Sequence, residues 1–362
     1  MENIWWNRIS NPVLFIEDIV STALDRKGAV LYLPQDVPWY EELFNLIWDK
    51  IRMEDGRGTF STFESPEADI GKNLIWKFCK QEKRVCYRST ESAGKFLAES
   101  RDIVLNDQYL WVEGVTRKNY KEWVEFLKDY YKYIPEGQAP GVFLLIVRGE
   151  IGRRRVIRGV VSFDYSSRIQ PFDSYIFCTM TASQLKIPEW KQMYLASLAA
   201  ELCGLDVELC EAAVTAGDLF LEDPSAFLSR EKGEKIQGKG EEKELGRRIW
   251  TIQIQQFYPL IESFRSEFIH KHHEEIDRCL PVENNKGDTI RDPEDVEIGL
   301  LRHLQGYLEL TAEETMNLRM FWDARNRLSH LGVLSLSEIE GLVCGIPAVY
   351  TGDLPLSSID GE

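Results

Sequence analysis

The sequence predicts an α/β domain built on a largely parallel sheet, followed by an all-α bundle of four helices. Three observations carry this. Strand-like and helix-like segments alternate over the first two-thirds of the chain, a charged and glycine-rich stretch runs up to residue 246, and everything beyond it has helical spacing. A chain of 362 residues also exceeds what one core ordinarily holds, so two domains are expected.

Taken in order, Gly28–Pro34 (GAVLYLP) is a short, continuously apolar run that predicts a strand, and Pro38–Met53 follows it with helical spacing. A strand is predicted at Arg57–Phe63, a helix at Asp69–Lys80, a strand at Arg84–Arg88 and a helix at Ser92–Ser100. Tyr109–Val115 reads as another strand, and Asn119–Tyr133 as an amphipathic helix with Trp123, Phe126, Leu127 and Tyr130 on one face. Val142–Arg148 (VFLLIVR) is the most apolar segment, as a central buried strand should be. Arg155–Phe163 and Tyr175–Thr181 add two predicted strands, the first after a hairpin turn at Gly149–Gly152.

From Pro188 to Leu228 the spacing turns helical, with Gly204 as a helix stop. The next stretch, SREKGEKIQGKGEEKELG, is dense in charge and nearly free of large apolar residues, which marks a boundary. Beyond it helices are predicted at Arg247–Arg278, Asp295–Leu308, Thr311–His330 and Ser335–Leu342, with a long loop at Pro281–Pro293. The expected organisation is therefore an α/β domain over 1–183, a helical lid over 184–229, a linker over 230–246, a bundle over 247–350 and a loose tail over 351–362.

Composition narrows the function classes. Hydrophobic residues at 44% and charged residues at 28% are those of a folded globular chain, not of a disordered one. A net charge of −16 opposes broad electrostatic attraction to nucleic acid, so any such site must be a local basic patch. Seven cysteines, an odd number without a CxxC pair, predict reduced thiols. The opening residues show no basic region leading into an apolar run, and no segment has the length of a membrane span; a soluble cytoplasmic protein without membrane contact is expected.

The chemistry-bearing segment is Arg325-Asn326-Arg327-Leu328-Ser329-His330. Thr311 with Glu314 forms a capping box that starts its helix, and Phe321, Ala324, Leu328 and Leu331 form the stripe expected to face the bundle. Asn326 and His330, four residues apart, stack on another face, with Arg325 about 100° around from Asn326. An imidazole can move the proton of a ribose 2′-hydroxyl or of a leaving 5′-oxygen near neutral pH. A guanidinium can hold the phosphate and its developing charge, and the amide can orient either group. The blander reading is a set of solvated helix charges, with His330 at a helix end that favours cations.

This segment, with the helices around it, resembles the RNxxxH form of the HEPN signature over roughly residues 247–345. The resemblance implies that Arg325 and His330 are catalytic, with Asn326 as their polar companion. It also implies that two copies meet across a twofold axis to share one composite site, hence a homodimer through the bundle. HEPN proteins cleave RNA without a metal or cofactor in toxin–antitoxin, abortive-infection and CRISPR-linked defence. Other members are inactive and mediate assembly with protein partners of a defence operon.

The repeated strand–helix units followed by a helical lid resemble P-loop NTPases of the AAA/STAND kind, without their chemistry. The first strand runs into LPQDVPWYEEL, with two prolines and no GK, where the phosphate-cradling loop would need GxxxxGK[ST]. One Gly-Lys pair, Gly94-Lys95, is followed by Phe96 where magnesium would need a hydroxyl; it reads as an ordinary helix start, the alternative being phosphate contact through the helix N-terminus. Arg148 and Gly149 stand where a Walker B strand would carry its acid. Arg148, Arg153, Arg154, Arg155 and Arg158 form a local basic cluster that could touch nucleic acid or an acidic partner, or be solvated and paired with carboxylates.

His270, His273, Glu274 and Asp277 have a spacing that could set ligands on one helix face, but they lie near a helix end where cations are favoured, and no metal is assigned. The expectation is thus a HEPN-type metal-independent ribonuclease effector with a non-hydrolysing sensing or docking domain. The alternative is an inactive scaffold subunit of a defence complex. A third reading is a nucleotide or nucleic-acid sensor acting through the Gly94-Lys95 helix and the arginine cluster.

Overall fold

In a computed structural model, residues 3–100, 105–149, 154–233, 239–283 and 287–345 are described. They form two compact units, Met1–Asp173 and Ser174–Glu362.

The first unit is organised by five strands: β1 (Gly28–Leu33), β2 (Thr59–Glu64), β3 (Gln108–Val115), β4 (Val142–Arg148) and β5 (Val160–Asp164). All pair in parallel, in the order β2-β3-β4-β1-β5. The apolar runs of β1 and β4 are central and buried on both faces, whereas the more polar β2 and β5 take the edges. β3 and β4 slip register between Val112 and Val115, where Gly114 adopts φ +69° and a side chain would strike the Glu64 carboxylate.

Helices cover both faces. Helix α1 (Ser10–Leu24) and helix α2 (Tyr40–Glu54) lie together, and α2 sets Phe44 and Trp48 edge-on against Trp111 of β3. The other face meets helices α3 (Ile70–Phe78), α4 (Ala93–Glu99) and α5 (Tyr120–Tyr133), where Trp123, Leu127 and Tyr130 pack on Leu110, Phe143 and Leu145.

From β1 the chain travels to the far edge at β2, returns through β3 to β4, then crosses β1 to reach β5. Connections leaving the neighbours β1 and β4 therefore run in opposite directions. The crevice at their carboxyl ends is the switch point of the sheet, where parallel α/β folds place ligands. A cavity of about 370 Å³ lies there, lined by Tyr32, Pro34, Gly149, Arg154, Asp164 and Ser166.

Three predicted strands are corrected. Arg84–Arg88 is a helical turn ending at Arg84 and then loop; Val85 is exposed, so no apolar side holds the segment on a sheet. Tyr175–Thr181 belongs to a helix, Pro171–Ala182, which begins on a proline suited to a first turn and buries Phe177, Cys178 and Ala182. A short apolar run suits either element, and here the helix start decided. Of Arg155–Phe163 only the portion from Val160 is strand. β4 and β5 are not a hairpin pair, because both run parallel to β1 on opposite sides of it; residues 150–152 of the predicted turn lie outside the described residues.

In the second unit, helix α6 (Glu189–Cys203) and helix α7 (Val207–Ala216) precede helix α8 (Lys239–Lys271), which begins inside the predicted linker. Then come helix α9 (Ile298–Leu304), helix α10 (Ala312–Ser329) and helix α11 (Leu336–Cys344). Helices that the sequence assigned to a lid on the first domain thus share a unit with the bundle. Tyr194 of α6 packs edge-on against Phe257 of α8 and accepts a hydrogen bond from the buried Gln253. Lys191 of α6, almost fully buried, pairs with Asp218 and with Glu340 of α11. The tail 351–362 lies outside the described residues.

Candidate functional site

Helix α10 carries the candidate site, and both its ends are fixed. At the start, Thr311 and Glu314 make the expected capping box. The Glu314 carboxylate also takes the Lys271 ammonium at 2.6 Å and faces Nε2 of the buried His272 at 3.2 Å. Lys271, then the Thr311 N–H and hydroxyl, hold its pKa down at about 2. A carboxylate with a depressed folded pKa stabilises the protein above the unfolded pKa, and that stability is lost as pH falls through the folded value. Thermal unfolding of wild type should therefore weaken between about pH 5 and pH 2. The Glu314→Gln protein should start lower at neutral pH and show a shallower fall over the same range.

Along its length α10 buries Leu318, Phe321, Ala324 and Leu328, and Phe321 stacks on Phe264 of α8 with centroids 4.0 Å apart. Near its end, the indole of Trp250 donates to the Leu328 carbonyl at 2.7 Å. Gln253 clamps the following segment by accepting from the Leu334 N–H and donating to its carbonyl.

The predicted stripe is right except at Leu331, which is 65% exposed. The helix closes at Ser329, and Leu331 takes a left-handed conformation, φ +61°. The Leu331 N–H donates to the Leu328 carbonyl and the Gly332 N–H to the Arg327 carbonyl, the two bonds of a Schellman ending. That geometry favours glycine where leucine stands. Leu331→Gly should raise stability by about 0.5–1 kcal/mol, read as a higher urea midpoint.

Arg325, Asn326 and His330 all lie at the end and cap of this helix. Arg325 is partly buried, with Nη1 3.5 Å from Asn326 Oδ1 and Nη2 3.4 Å from Glu297 Oε2. His330 is the exposed C-cap residue, held through its backbone N–H to the carbonyls of Asn326 and Arg327. Its ring meets no hydrogen-bonding side chain among the described residues. Arg327 turns away to Glu338 at 2.8 Å and braces α11. The helix end thus carries one imidazole, one guanidinium and one amide. Transesterification of RNA needs a proton taken from the 2′-oxygen and another given to the 5′-oxygen, so a single strip supplies half of the acid–base pair.

The other predicted positions are less concentrated. Gly94 sits against α5, where a Cβ would lie 2.6 Å from the Phe126 carbonyl oxygen, so its smallness serves helix packing. Lys95 lies 3.9 Å from both Glu91 and Glu99. Arg148 lies over Tyr40 at 4.1 Å and Arg154 over Tyr32 at 4.2 Å; Arg154 also pairs with Asp164 at 2.6 Å, and Arg155 with Glu125 at 3.2 Å. Arg158 is exposed, and Arg153 lies outside the described residues.

The Arg148 environment is built at the switch point. Tyr40 donates to Glu113, which also accepts from the Trp111 indole, and burial and that carboxylate push the Tyr40 phenol up. The histidine spacing does not survive folding. The helix breaks at His272, so His270 and Asp277 do not share one continuous face.

Sequence reasoning passed over Trp250 and Gln253, which hold the backbone at and after the helix end, and Glu297, which meets Arg325. The signal available was two large polar-capable residues, Trp250 and Gln253, one turn apart on a helix otherwise charged at its start. Neither a family model nor a curated protein matches the chain.

Proposed function

We propose that the Arg325–His330 helix end is one half of a metal-independent ribonuclease site of the HEPN type, completed by the same strip of a second copy. The observation that supports it most is His330, exposed at the C-cap of the helix that carries Arg325 and Asn326 and that buries Leu318, Phe321, Ala324 and Leu328. In the composite site one imidazole takes the 2′-hydroxyl proton as the 2′-oxygen attacks phosphorus. The P–O5′ bond breaks, and the second imidazolium protonates the departing 5′-oxygen. Arg325 holds the phosphate, and Asn326, within reach of its guanidinium, orients it.

The first unit is read as a non-hydrolysing sensing or docking domain, similar to a P-loop NTPase in its parallel sheet and lacking a phosphate-cradling loop after β1. No helix among the described residues is long and apolar enough to cross a membrane.

A second reading, an inactive assembly subunit of a defence complex, is favoured by one observation: Glu297 already engages Arg325. Expression in cells separates the two. Growth arrest with fragmented RNA, relieved in His330→Ala, supports the nuclease. Normal growth with partner proteins co-purifying in wild type and variant alike supports the scaffold and sinks the nuclease.

A further inference from the structure

We infer that the α3 surface of the first unit is a binding site for single-stranded nucleic acid. Residues 71–95 carry seven Lys and Arg against two Glu, in a chain whose net charge is −16. The fold gathers part of this run around a cleft of about 570 Å³ whose walls include Lys72, Trp76, Arg84, Tyr87 and Ser89. Trp76 is 55% exposed, although α3 buries Ile70, Leu74 and Phe78 on its other side. An indole exposed in a cleft beside cations offers a face on which a base can stack.

Arg84 is held in place, its Nε donating to the Cys79 carbonyl at 2.7 Å and its guanidinium 5.2 Å from the Trp76 ring. Lys72 lines the same cleft, and the exposed Arg88 stands between the lining residues Tyr87 and Ser89. Among the described residues neither Lys72 nor Arg88 pairs with a carboxylate. Two carboxylates also line the cleft. Glu122 is occupied in accepting the Ile70 N–H at 2.6 Å, which closes the start of α3, and Asp69 precedes that helix at φ +57°.

Stacking platforms flanked by cations bind successive bases and phosphates with little regard for sequence. An acidic peptide would satisfy the cations and leave the indole unused, so nucleic acid is the better match. The site is independent of the ribonuclease reading, because it rests on other residues in the other unit.

The test is fluorescence anisotropy of the full chain with labelled dT12 and U12 oligonucleotides over a salt series. The dT12 probe lacks a 2′-hydroxyl, so its binding is read apart from any cleavage. Expected are micromolar binding of both probes, about tenfold weaker binding by Trp76→Ala, and recovery in Trp76→Phe. Lys72→Glu with Arg88→Glu should weaken binding and flatten the slope of log K against log salt by about 1.4. All three positions are solvent-facing, and unchanged thermal unfolding checks the fold. Absence of binding by wild type overturns the inference. So does binding that is indifferent to Trp76 and displaced equally well by polyglutamate, which is the acidic-peptide outcome.

Discussion

Purified His330→Ala protein is expected to cleave RNA at least about a hundredfold more slowly than wild type, the usual loss when a proton-transferring side chain is removed. Arg325→Ala should lose about as much, since a positioned donor to the transition-state charge is removed. Neither change should alter thermal unfolding much. The His330 ring is exposed, and the helix end depends on its backbone and on Trp250, Gln253 and the Schellman bonds. Arg325 contributes one long, solvent-screened contact to Glu297. If both variants cleave like wild type, the chemistry lies elsewhere in the chain. If both unfold, the residues are structural.

The second large effect concerns Gly94 and Lys95. Gly94→Ala is expected to destabilise the first unit by about 2 kcal/mol, because overpacking outweighs alanine's helix preference. The added Cβ would lie 2.6 Å from the Phe126 carbonyl oxygen and 2.9 Å from the Tyr130 nitrogen. Both are backbone atoms of α5 and cannot swing aside as a side chain could. Lys95→Ala should shift stability by no more than about 0.5 kcal/mol, since its ion pairs are long and exposed. Urea unfolding of the two proteins checks this. A stable Gly94→Ala protein, with Lys95→Ala losing affinity for nucleotide, would support a phosphate-binding role for the pair.

Much of the fold was legible where one residue period dominated. The runs of β1 and β4 read as buried strands because apolar residues fill both faces, and α5 and α10 read as helices because one stripe is apolar, α10 having a capped start as well. Legibility failed for short runs. YIFCTMT has strand composition, yet Pro171 ahead of it and packing of Phe177 and Cys178 within the unit made it helix. The hairpin after β4 failed for a different reason. Turn residues report a local bend, whereas the position of β5 beyond β1 is a long-range property of the sheet.

At the candidate site, the spacing predicted one strip for Arg325, Asn326 and His330, and Arg325 and Asn326 do lie within 3.5 Å of each other. It could not show that the helix stops at Ser329, leaving Leu331 outside and His330 as the capping residue. Nor could it separate Arg325, which faces Asn326, from Arg327, which is taken by Glu338. The basic run around Trp76 was visible in composition. Its meaning depended on which aromatic the fold leaves exposed.

The most direct measurement is incubation of the purified chain with end-labelled single-stranded RNA in excess chelator, followed by chemical identification of the new termini. A shared imidazole site yields 2′,3′-cyclic phosphate and 5′-hydroxyl ends, undiminished by the chelator and missing when His330 is Ala. Intact RNA, metal-dependent cleavage, or 5′-phosphate products would contradict a ribonuclease at this helix end.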